Sequence, residues 1–315
     1  MNTEPVSTWE IQFARYRQML LVRGYSGRTL ATVATYARRW TEFCSEVKLH
    51  APETIINEHI TMFQKWLWHR PTVRGAARSI AGQNNILSFL KLFFAWLQVE
   101  GVITRNPAQG SRYAKQPDPL PKDVLTTAEA AKILDAPDTA TPYGQRDRTI
   151  LEVMYATGLR RAELRALTVA DIDLGSEVLF VRRGKGGRGR VVPLTRTACA
   201  CLETYLRAVR PKLLGRIKSA RLFVAPVNHP GEDCCLGEHA LGNLVARYAK
   251  QACIQKKVTP HLWRHTCATH LLQNQANVRH VQELLGHKSL ATTERYLRLT
   301  IDDLKAAHRR FHPRG

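Results

Sequence analysis

Residues 178–193 read VLFVRRGKGGRGRVVP: two short runs, Val178–Val181 and Arg190–Pro193, on either side of a glycine-rich turn. The runs are mostly β-branched or aromatic and too short for helices, and glycines give the turn its φ freedom, so the stretch predicts a β-hairpin. Between Arg182 and Arg190 the turn packs five cations and four glycines into nine residues. Glycines let a backbone approach a phosphate closely, and Lys185 on such a turn can give up a proton late in a reaction. A plain surface hairpin fits the same residues. A P-loop does not, because no GKS or GKT follows at the required spacing.

Outside this hairpin the pattern is helical. Downstream of Pro193 it runs to Gly315, broken by a loop near 225–237. Upstream, Thr126 or Thr127 with Glu129 reads as an N-cap and first turn before Ala131, Ile133 and Leu134, and helices follow near 144–157 and 161–167. Residues 110–122, GSRYAKQPDPLPK, have three prolines and no apolar period, so they read as a semi-rigid linker. Before it, four helical patterns succeed one another: Trp9 to Arg23, stopping at Gly24; a second from Ser26-Gly27 with Leu30, Val33, Tyr36, Trp40 and Phe43; a third from about Glu53 to Trp68 with Ile56, Ile60, Phe63 and Leu67; and a fourth from Ser79 to Leu97, ending at Gly101. The expected fold is mainly α with a small antiparallel β-sheet in the C-terminal domain. The expected organisation is a helical bundle over 1–109, a linker over 110–122 and a second domain over 123–315.

With 315 residues the chain is long enough for two cores. Its 47 Lys+Arg against 26 Asp+Glu give a net charge of +21. The excess is shared: 15 against 7 in residues 1–115, 32 against 19 in the remainder. A basic tail would load one end, whereas this distribution implies two surfaces that face a polyanion, with nucleic acid favoured. No basic amphipathic helix with an aromatic face supports a membrane surface instead. The seven cysteines are odd in number, irregularly spaced and free of CxxC pairs, so they read as reduced thiols and not as zinc ligands. No metal and no cofactor are expected. MNTEPVSTWE carries no signal-peptide pattern and no run reaches a membrane span, which gives the cytoplasm, at the nucleoid, as the expected location.

Three further segments carry chemistry. Ala156-Thr-Gly-Leu-Arg160-Arg-Ala-Glu163 sets an arginine just past a glycine turn, with Glu163 one helical turn on to hold it or to cap the helix. Pro260-His261-Leu-Trp-Arg264 puts a histidine and an arginine at i,i+3, on one side of a helix start. Leu284-Leu-Gly286-His287 offers another histidine after a turn glycine, and Thr292-Thr-Glu-Arg-Tyr296 a phenol. Taken singly each has an ordinary structural reading. In the bundle, Ser79, Gln83, Asn84 and Lys91 share the polar side of the fourth helix, where amides suit adenine edges and a merely solvated face fits equally.

In this order and spacing the segments resemble the tyrosine recombinase family, the integrase, Cre and Xer enzymes. The likeness covers 121–315, and the bundle at 7–107 resembles that family's core-binding domain. Leu120-Pro-Lys122 and the ending Phe311-His-Pro-Arg314 are most similar to the Xer subgroup. Two departures are Trp263, where a smaller apolar residue is common, and a longer loop at 226–237 with Cys234-Cys235. The resemblance implies that Tyr296 attacks a DNA phosphate to give a 3′-phosphotyrosine. It implies that Arg160 and Arg264 clamp the phosphate, Lys185 protonates the leaving 5′-oxygen, His261 moves a proton at Tyr296 and His287 hydrogen-bonds the phosphate. It further implies exchange through a Holliday junction by a homotetramer on two double-stranded sites, or a heterotetramer with a related recombinase. The two domains and linker would form a DNA clamp, with Arg182 and Arg188 on the hairpin adding contacts. The stretch from about Ile301 to Phe311 would dock on a neighbouring protomer, or else fold back on its own. Xer-like resolution and mobile-element integration or excision both fit, the charge and the cysteine-bearing loop leaning to the latter. The rival readings are a type IB topoisomerase and a catalytically silent architectural factor; occupancy of every catalytic position argues against the second.

Overall fold

The computed structural model describes residues 8–71, 75–116, 124–182, 189–225 and 234–286. The chain forms two compact units, Met1–Pro121 and Lys122–Gly315.

The described part of the first unit is helical: α1 (Thr8–Val22), α2 (Gly27–Glu46), α3 (Asn57–His69) and α4 (Ile80–Val99). Two of the starts are written in the sequence. The hydroxyls of Ser26 and Ser79 accept from the amides of Thr29 and Gly82, satisfying donors that a helix start leaves open. The core is aromatic and centred on the fully buried Trp40, whose ring meets Trp9, Phe63 and Phe94 edge-on at 5.6, 5.0 and 5.5 Å.

One expectation needs correction here. The third helix does not begin at Glu53: Pro52–Thr54 makes a single 3₁₀ turn, Ile55 and Ile56 are extended, and α3 starts at Asn57. Isoleucine has no capping oxygen, so Nδ1 of His59 accepts from the Ile56 amide instead. The extended pair then buries Ile55 and leaves Ile56 52% exposed, reversing the expected core position. Residues 111–116 lie along the bundle, where the Asn84 amide exchanges two hydrogen bonds with Ala114, Gln64 donates to the Arg112 carbonyl, and Ser88 donates to Tyr113 Oη.

The second unit is built around α6 (Pro142–Thr157), whose Ile150, Leu151, Val153 and Met154 are all buried. A helix buried on every side is a core helix, and α6 packs against α5 (Thr127–Asp135), α8 (Arg196–Thr204), α9 (Arg210–Leu214) and α11 (Pro260–Gln273). Thr126 is the N-cap of α5, and it and Glu129 cap the helix reciprocally. After α7 (Arg161–Ala166) come three antiparallel strands in the order β1 (Ile172–Asp173), β2 (Val178–Val181) and β3 (Arg190–Pro193). Register pairs Leu179 with Val192 and Val181 with Arg190, so Leu179, Val181 and Val192 face the core. The two-residue β1 was not anticipated. The helical pattern expected after Pro193 also breaks sooner than 225. Gly215 ends α9 in a positive-φ conformation, and the following segment is irregular, with Arg221 in an isolated antiparallel bridge to Thr168. α10 (Ala240–Gln251), α11 and α12 (Val278–Leu285) complete the described unit.

One buried histidine is structural. His270 Nε2 donates to the Leu125 carbonyl at 2.8 Å while Nδ1 pairs with the Tyr155 hydroxyl at 2.7 Å. No described helix is long and apolar enough to cross a membrane. The seven cysteines are free.

Candidate active site

The site grows from the end of α6. Gly158 stops that helix in the left-handed region, at φ +57°. A side chain is excluded there twice over: L residues avoid this φ, and a Cβ would lie 2.7 Å from Leu285 Cδ2 and 3.3 Å from Cys267 Sγ. The turn buries Leu159 and delivers Arg160 as the residue that leads α7.

Glu163, one turn into α7, is the hub. Its side chain is only 4% exposed, and it accepts four hydrogen bonds. Oε1 receives Nη1 of Arg160 at 2.9 Å and Nη1 of Arg190 at 3.0 Å. Oε2 receives the Arg160 amide at 2.9 Å and Nη2 of Arg190 at 2.9 Å. Burial alone would push this carboxyl up. The Arg190 fork and the Arg160 amide and guanidinium outweigh it and hold the group below its usual range. Glu163 thus does both things expected of it, capping α7 and holding Arg160.

Arg264 arrives from α11, whose start is capped by the Thr259 hydroxyl with Pro260 in the first turn. It is 4% exposed, and its fork donates to the carbonyls of Gly158 at 2.6 Å and Leu285 at 2.8 Å. The same helix end serves the other two arginines. Nη2 of Arg160 donates to the Gly286 carbonyl at 3.1 Å and Nε of Arg190 to that of Leu284 at 2.9 Å. Three guanidinium groups therefore gather where α12 presents unsatisfied carbonyls and the negative end of its dipole. Gly286 closes α12 at φ +65°, and a Cβ there would lie 3.2 Å from the Arg190 guanidinium. His261 lies one turn before Arg264 on α11 and is exposed.

Arg160 and Arg264 are thus brought to one helix end, with a net positive field. Lys185, Arg188, His287 and Tyr296 lie outside the described residues, as does the stretch from Ile301 to Phe311. Arg190 went unremarked in the sequence except as one of five cations on the hairpin; its distinction is the partner it finds 27 residues upstream. Trp263 fills the core at 0% exposure and donates its indole N–H to the Leu151 carbonyl. Among the described residues no group of three or more His, Cys, Asp or Glu side chains could hold a metal ion.

The expected DNA contacts of the bundle are largely engaged elsewhere. Ser79 caps α4, and Gln83 donates to the Arg78 carbonyl. The two ends of the Asn84 amide both bond to Ala114. Lys91 stands 4.6 Å over the Tyr113 ring. Arg182 ion-pairs with the buried Asp171 while its side chain stays 67% exposed.

Comparison with known proteins adds the following. Residues 123–302 match the model of the phage integrase family. A tyrosine recombinase, XerC 2, of Ralstonia nicotianae (strain ATCC BAA-1114 / GMI1000) is 38% identical over 296 residues, covering 94% of this chain and 84% of the relative. Tyrosine recombinase XerD of Listeria monocytogenes serotype 4b (strain F2365) is 36% identical over 300 residues, covering 94% and 96%. A solved structure of a lambda integrase tetramer bound to a Holliday junction superposes with a TM-score of 0.68 at 22% identity, over 94% of this chain and 81% of that one, a likeness of fold.

Proposed function

Because the chain belongs to the phage integrase family, we propose that its arginine pocket and Tyr296 cut and rejoin DNA through a covalent phosphotyrosine. The protein is a site-specific tyrosine recombinase. The observation that supports the assignment of residues is the convergence of Arg160 and Arg264 on the carbonyls of Gly286 and Leu285, which immediately precede His287 in the chain. Guanidinium forks suit the non-bridging oxygens of a phosphate and gain strength as charge develops on them.

In the proposed step Tyr296 Oη bonds to phosphorus as the bond to the 5′-oxygen breaks. His261 takes the phenol proton, Lys185 gives one to the departing 5′-oxygen, which leaves as a hydroxyl, and His287 hydrogen-bonds the phosphoryl group. An unperturbed phenol has a pKa of about 10, so it needs that assistance near neutral pH. The phosphotyrosine conserves the bond, and attack by the 5′-hydroxyl of a partner strand reverses the step, exchanging strands through a Holliday junction. The partners of this reading are double-stranded recombination sites and further copies of the chain in a tetramer, or copies of a related recombinase. Residues 1–109 would be the core-binding domain and the stretch from about 301 the segment docked on a neighbour. The likeness to Xer relatives over nearly the whole chain favours resolution-type exchange in the DNA-containing cytoplasm.

The deciding experiment is Tyr296→Phe. Binding to the site in a gel shift is expected to persist while the covalent protein–DNA complex disappears from denaturing gels. Cleavage retained by this variant removes Tyr296 as the nucleophile.

A further inference from the structure

We propose that Arg190 is a positioning residue for strand cleavage: through Glu163 it holds the guanidinium of Arg160 against the end of α12. The inference rests on the reading of Arg160 as a phosphate clamp.

Three observations carry it. The Glu163 carboxylate is buried, and Arg160 and Arg190 each supply one donor to each of its oxygens. Arg190 is tied at the same time to the Leu284 carbonyl, two residues before the carbonyl that holds Arg160. Its guanidinium also packs so closely on Gly286 that a Cβ there would lie 3.2 Å from both Cζ and Nη1. One planar group therefore sets the distance between the carboxylate and the helix end, the two things Arg160 must touch together.

Removing Arg190 takes two of four donors from a buried anion. Such a group recruits a replacement or takes a proton, and the nearest replacement is Arg160, which would turn toward both carboxylate oxygens and leave Gly286. Lysine at 190 keeps the charge but has a single nitrogen, so it cannot bridge two oxygens and a carbonyl in one plane.

The test uses the full-length protein with Arg190→Lys, Arg190→Ala and Arg160→Ala. The probe is a nicked duplex bearing the footprinted site, with either an ordinary scissile phosphate or a methylphosphonate, which lacks the negative charge that a guanidinium neutralises. The Arg190 variants are expected to bind within about twofold of the parent, since they keep the other phosphate contacts. On the ordinary phosphate they should form covalent complex about 100-fold more slowly. On methylphosphonate the deficit should shrink to about threefold, as for Arg160→Ala. Parent-like cleavage, equal deficits on both substrates, or both Arg190 variants unfolded in thermal melts would each overturn the positioning role. If Arg160→Ala itself gains nothing from methylphosphonate, the clamp reading of Arg160 is what has failed.

Discussion

Glu163 holds its proton more weakly in the fold than in the unfolded chain, and the sign of that difference has a measurable result. A carboxyl depressed below its ordinary value of 4.5 stabilises the fold at higher pH, and that contribution fades as pH falls through the folded value. Melts between about pH 3 and pH 6 should therefore show an acid limb that Glu163→Gln flattens, while stability near neutrality drops by about 3 kcal/mol. An unchanged slope in the variant rules out Glu163 as its source. The cysteines make a second contrast: burial pushes Cys267 up to about 12, whereas Cys253 is exposed. Alkylation of the native protein near neutral pH, read by mass spectrometry, is expected at Cys253 and not at Cys267. The meeting of Arg160 and Arg264 was legible in the sequence because their spacing to glycines and helix starts is itself a pattern. Arg190 was not, because among five hairpin cations nothing local separates the one that faces inward.

At the level of elements, what could be read depended on whether a boundary is made by a side chain. Ser26, Ser79 and Thr126 announce α2, α4 and α5 through their own oxygens. The start of α3 was hidden because its capping atom belongs to His59, inside the helix. The irregular segment after Gly215 was hidden too, since it is held by a bridge from Arg221 to Thr168, a partner some fifty residues away. Gly158 and Gly24 allow the packing of one turn to be isolated. Both have positive φ, but a Cβ at Gly24 meets open space and one at Gly158 meets Leu285. Alanine at Gly24 should cost about 1 kcal/mol in denaturant unfolding. Alanine at Gly158 should cost clearly more, roughly 2–4 kcal/mol, and should slow covalent-complex formation by displacing α12. Equal costs at the two sites would mean that Leu285 relaxes freely.

For the molecule as a whole, the positive charge is spread over both units, with 15 Lys+Arg against 8 Asp+Glu in residues 1–121 and 32 against 18 after. Affinity for the site should fall linearly on a log–log plot against salt, at about −0.9 per phosphate contacted. A flat plot would remove the electrostatic basis of DNA capture. The aromatic core of the first unit sets a separate threshold. Trp40→Ala, at the centre of the ring cluster, should destabilise that unit by about 3–5 kcal/mol and weaken site binding, as followed by calorimetry and gel shift. The α12 terminus carries one more consequence, for how such a chain tolerates change over generations. Arg160, Arg190 and Arg264 dock there on main-chain oxygens, which every amino acid possesses. Substitutions at 284 and 285 leave those acceptors intact, so the arginines should show little pairwise covariation with these two positions. Deleting one residue from α12 would turn its end by about 100° and withdraw three anchors at once. The site should therefore prove indifferent to spelling at this point and intolerant of any change in length.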